Sequence, residues 1–76
     1  MYILSMDGKT LIKATTLSVT KNFGGKKEQK FAISAEREGQ LTAVVAALYP
    51  DEKTAVDALE KAFQAFADGA RAYRFQ

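Results

Sequence analysis

Seventy-six residues, with 11 Lys and Arg against 9 Asp and Glu, describe one small domain of net charge +2. A content of 47% hydrophobic and 26% charged residues, with one Pro and five Gly, excludes a disordered or low-complexity chain. The absence of His, Cys and Trp excludes disulfides, thiolate metal sites and most familiar nucleophile–base pairs.

The first residues reach Asp7 without a basic stretch, so no secretory signal is expected. Tyr2–Met6 is apolar and β-prone, and Asp7-Gly8 follows at once. That pair is a hairpin signal, because both residues tolerate positive φ. Thr10–Thr20 is rich in β-branched residues, and Leu17 and Val19 alternate with Ser18 and Thr20. This is the period of a strand with one wet face. Lys13-Ala14-Thr15 interrupts the apolar pattern, as a bulge or a kink between two short strands would.

Lys21–Lys30 is the irregular stretch, with Gly24-Gly25 for flexible backbone and Phe23 as a candidate anchor. In the next strand Phe31, Ile33 and Ala35 alternate with Ala32, Ser34 and Glu36, and Glu38-Gly39 makes a turn. Leu41–Tyr49 is apolar at both sets of alternate positions, with Val45, Ala47 and Tyr49 on one face and Val44, Ala46 and Leu48 on the other. Strands of this kind are central or covered on both sides.

Pro50-Asp51 ends that strand and offers Asp51 as an N-cap, with Glu52 adding favourable charge to the first turn. Ala55, Leu59, Ala62, Phe63 and Phe66 recur at helical spacing on one stripe, and Phe63 and Phe66 are expected in the core. Gly69 closes the helix in a left-handed conformation. Arg71–Phe75 is a last strand, with Tyr73 and Phe75 pointing one way. Residues 1–76 therefore predict a single α+β domain: a four- to five-stranded, mainly antiparallel sheet with one amphipathic helix, about 51–68, on one face.

One helix covers only one face of such a sheet, so Val44, Ala46 and Leu48 are the candidate interaction surface. Lys21, Lys26, Lys27 and Lys30 are candidate anion contacts, although the loop lacks phosphate-loop spacing and an aromatic cluster interleaved with its lysines. Asp51, Glu52, Asp57 and Glu60 share the helix and read as a solvated surface. Ser5, Ser18 and Ser34 read as ordinary strand residues, since no His stands ready to activate them. Tyr49 is placed to pack its ring inside and keep its hydroxyl in water. No catalytic residue, metal ligand or cofactor site is expected.

The layout resembles a group of small uncharacterised proteins from Gram-positive bacteria and their prophages. Ser5-Met6-Asp7-Gly8-Lys9 corresponds to their opening turn, and Leu48-Tyr49-Pro50-Asp51-Glu52-Lys53-Thr54-Ala55 to their strand running into a capped helix. Asp68-Gly69 and Tyr73-Arg74-Phe75 correspond to their closing glycine and strand. The chain departs from the pattern by lacking a terminal Pro and by its Ala-rich strand 43–47. The resemblance implies an α+β fold and no known activity.

A chain this short buries only about 60% of the surface its unfolded form exposes. Without disulfides or a metal, association is the expected remedy. The sequence thus points to a non-enzymatic protein-interaction module, with a second copy (a homodimer) or another protein as partner. The alternative is a weak nucleic-acid or anion binder using loop 21–30, or a small phage regulator of a host protein. The mild net charge disfavours nucleic acid. The longest apolar run, Ala43–Tyr49, falls far short of the ~20 residues that span a bilayer. No membrane role is expected, and residence in the cytoplasm follows, with the missing Cys in support.

Overall fold

The computed structural model describes residues 1–76. Strands β1 (Tyr2–Leu4), β2 (Leu11–Lys21), β3 (Phe31–Arg37), β4 (Val44–Tyr49) and β5 (Ala72–Arg74) form one sheet in the order β4-β3-β2-β1-β5. Helix α1 (Glu52–Ala67) packs on one face of it. All neighbouring strands are antiparallel except β1 and β5, which run parallel. The expected α+β architecture is present, with a parallel edge that no local pattern announces.

The β1–β2 hairpin is built around Asp7-Gly8. Gly8 adopts φ 74°, and its N–H donates to Ser5 O over 2.8 Å. Ser5 is more than a strand residue. Its buried Oγ donates to Asp7 Oδ1 at 2.6 Å and accepts from Thr10 N at 3.1 Å. Asp7 Oδ1 also accepts from Lys9 N at 3.0 Å. These bonds hold the Asp7 carboxyl below its ordinary value, the Ser5 hydroxyl contributing most.

Strand β2 serves two partners. Leu11–Lys13 pairs with β1, and Ala14 onward pairs with β3 after a register shift between Ala14 and Thr16. The interruption expected at Lys13–Thr15 is therefore a bulge. Thr15 Oγ1 there donates to Glu36 O. Past it, Leu17 and Val19 resume the core face opposite Ala35 and Ile33.

A second bulge changes the expected pattern of β4. Ala47 pairs with Ile33, but Val45 pairs with Ser34 and Val44 with Ala35, so Ala46 is the extra residue. Val44 thereby joins the core face with Ala47 and Tyr49, while Val45 and Leu48 share the outer face. Strand β4 also starts at Val44 rather than Leu41.

Both helix ends follow their sequence signals. Asp51 Oδ1 accepts from Thr54 N at 2.7 Å. At the other end Gly69 has φ 96°, and Gly69 N and Ala70 N donate to Phe66 O and Ala65 O. That bond pair is a Schellman motif. Ala55 and Ala62 are fully buried, and Leu59 and Phe66 half-buried, against the sheet. Phe63, expected in the core, is instead 60% exposed, with Val56, two turns earlier on the same flank, at 47%. The helix is apolar over a wider arc than the sheet covers.

The Asp51 cap makes stability pH-dependent. Its hydrogen bonds from Thr54 lower its pKa from 3.8, so its contribution is complete above the unfolded value and is lost as pH falls through the folded one. Asn caps as well as Asp but does not titrate. Asp51→Asn is expected to melt within a few degrees of wild type at pH 7. The two melting curves, followed by circular dichroism, should separate as pH drops below about 4, the wild type losing stability that the variant keeps. A gap in acid no larger than at pH 7 would refute the assignment.

Candidate interaction surface

The core is thin in large side chains. Of 12 buried hydrophobic residues, seven are Ala, and only Ile3, Ile12, Ile33, Tyr49 and Phe75 are larger. Eight large hydrophobic residues meanwhile stand exposed. Apolar mass that could fill the interior is displayed outside, and five of the eight residues gather on three surfaces.

The first surface lies on the helix-free side of the β1–β2 hairpin, where Leu11, 66% exposed, pairs with Leu4. Tyr2 stands beside them opposite Lys13. The second is the Val56–Phe63 flank of α1. The third is β4 itself. Val45 is 49% exposed, Leu48 is half-buried, and Ala32 lies buried between Thr20 and Leu48 in the register.

Strand β4 differs from the other two surfaces in having an open backbone edge. It ends the sheet, and its six residues, Val44–Tyr49, carry no charge. On the side away from β3 it makes one backbone hydrogen bond, from Met6 N to Ala46 O at 2.7 Å. Strand edges are ordinarily blunted by charge, brevity or a covering element. The β5 edge is three residues long and ends in Arg74. On β4 only the Ala46 bulge and the Met6 contact serve that purpose. An open cleft of about 480 Å³ runs along this edge, lined by Val45–Leu48, the Ser5–Asp7 turn, Glu28 and Gln29.

The residues expected to form one interaction surface are thus divided. Ala46 is buried in the core, Val44 is half-buried on the helix side, and Leu48 alone keeps the outer position. Val45, assigned by alternation to the opposite face, is the most exposed residue of the strand. Nothing in the local sequence marks Ala46 as a bulge.

The lysine loop is ordered by its own bonds. Asn22 Nδ2 donates to Gln29 O at 2.7 Å, and Lys30 Nζ to Gly25 O at 3.0 Å. Phe23, proposed above as an anchor, is 89% exposed and anchors nothing.

Other candidates settle into structural roles. Ser18 and Ser34 face each other across β2 and β3, and Ser34 Oγ shares a hydrogen bond with Thr20 Oγ1 at 3.0 Å. Glu60 accepts from Gln64 on the exposed side of α1. The Tyr49 ring is buried as expected, but its hydroxyl donates to Gln76 O at 3.1 Å instead of facing water. Burial and the neighbouring Tyr73 raise its pKa. No group of three or more carboxylates is placed to hold a metal ion, and no helix is long and apolar enough to cross a membrane.

No family model matches the chain, and neither the curated proteins nor the solved structures contain a match to it.

Proposed function

We propose that this chain is a non-enzymatic protein-interaction module of the cytoplasm that docks its partner along β4. The carrying observation is the edge: six uncharged residues with one outer hydrogen bond, beside exposed Val45 and a cleft. An incoming strand would pair with the free backbone groups and cover Val45 and Leu48. The small core supports the same reading, because covering these side chains adds apolar burial that the monomer lacks.

A second copy is the partner the strand's chemistry fits first. Antiparallel pairing of β4 with itself about a two-fold axis sets no like charges opposite one another, since Val44–Tyr49 contains none. Light scattering behind a sizing column should therefore give a mass that rises toward the dimer with concentration. Val45→Lys, an exposed substitution of the kind that protects natural edges, should hold the protein monomeric without unfolding it. Wild type that is monomeric across the range, or a dimer indifferent to Val45→Lys, would overturn this reading.

A further inference from the structure

Glu28 and Gln29 of the β2–β3 loop border the cleft along β4, but the rest of the loop lies outside it and has its own chemistry. Between Lys21 and Lys30 stand four lysines and one acid, Glu28. The loop is not slack. Asn22 N donates to Lys30 O, Gly25 N to Asn22 O and Gln29 N to Lys26 O, at 2.8 to 3.2 Å. The backbone approaches so closely that a Cβ on Gly25 would collide with Gln29 O. This frame holds Phe23 out, 89% exposed, at a turn where Gly24 has φ 79°. A hollow of about 410 Å³ opens beside the ring, lined by Lys21, Asn22, Phe23, Gly24, Lys30 and Phe31.

A solvated connection needs lysines but has no use for a presented aromatic ring. The combination of an exposed ring, flanking ammonium groups and a hollow at the ring matches a base with its phosphates. Stacking on an aromatic face is open to any unpaired base, and lysines supply sequence-independent contacts to the backbone. A duplex hides its base faces and could use only the lysines.

We propose that this loop binds single-stranded nucleic acid, with one base stacked on Phe23 and the neighbouring phosphates held by Lys21 and Lys30. Lys26 and Lys27, on the next turn, extend the contact along the strand. Lys30 spends one of its three ammonium hydrogens on Gly25 O and keeps two for phosphate. The contact is independent of β4 and does not require self-association.

Fluorescence anisotropy of labelled oligothymidylate with the full chain, starting at about 50 mM salt, tests the proposal. Affinity should fall as salt rises, with a log–log slope near −0.7 for each phosphate held. Phe23→Ala should weaken binding about five- to one-hundredfold and leave the slope unchanged. The double change Lys26→Ala and Lys27→Ala should reduce the slope by about 1.4. Because the chain has no Trp, Phe23→Trp adds a single emitter at the contact, and the oligonucleotide should quench it. Absence of binding at the lowest salt would overturn the proposal. So would a duplex bound as tightly as the single strand, or affinity unchanged in Phe23→Ala, either of which reduces the loop to diffuse charge. Phe23-dependent binding to phosphatidylserine vesicles without binding to oligothymidylate would overturn it in favour of a membrane surface.

Discussion

Replacing Phe75 by Ala is expected to leave most of the chain unfolded at room temperature. Phe75 is 1% exposed and heads the fully buried side chains by volume. It packs edge-to-face on Tyr73 at 5.2 Å, and Tyr73 in turn lies 6.2 Å from Phe66 of the helix. Removing such a ring costs about 3–5 kcal/mol, which is about the whole stability of a domain this size. The control is Phe63→Ala, the same chemical change on a ring that is 60% exposed. It should alter stability by less than about 1 kcal/mol. Urea titrations followed by circular dichroism separate the two. Equal destabilisation by both would mean that the helix packs on the sheet through a different stripe.

Enlarging Ala62 is the second large effect. Ala55 and Ala62 are both at 0% exposure, and the sheet beneath offers Ala35, Ala46 and Ala47 to the same core cluster. Helix and sheet are close because both present methyl groups, and the larger Leu59 and Phe66 pack around them. Ala62→Leu forces several methylene groups into a filled gap and should cost about 1–3 kcal/mol through strain and lifting of the helix. The same substitution at half-buried Ala58 has room to turn outward and should cost less. A thermal melt in which Ala62→Leu is as stable as wild type would show slack in the interface that the burial values deny.

The parts of this fold that could be read from sequence are those fixed by local chemistry. Asp7-Gly8, Pro50-Asp51 and Asp68-Gly69 each satisfy or redirect backbone groups within a few residues, so the hairpin and both helix ends sit where the residues place them. The bulge near Lys13–Thr15 was legible because it breaks the apolar alternation. The bulge at Ala46 was not, because every neighbour is apolar and any register fits the pattern. A contact from 40 positions away, Met6 N to Ala46 O, accompanies it. That one-residue shift exchanged Val44 for Val45 on the outer face. Parallel pairing of β1 with β5 likewise depends on where the helix delivers the chain, which no short window contains.

The exposed aromatics divide in the same way. Helical periodicity placed Phe63 on the apolar stripe correctly, but only the width of the sheet decides how much of that stripe is covered. For Phe23 the available signal was its company: a large ring between Asn22 and two glycines, in a run of lysines, has no apolar partner nearby in sequence. Ser5 was legible in principle, since a Ser two residues before Asp can close a turn through its side chain.

Amide resonances recorded across a dilution series test the docking role of β4 most directly. Concentration-dependent shifts should gather on Val44–Tyr49, on Ala32 and Ser34 across the register, and on Met6 at the edge. Shifts confined to Leu4 and Leu11, or to Val56 and Phe63, would assign self-association to another surface and contradict the role of β4. Spectra unchanged at every concentration would contradict self-association altogether.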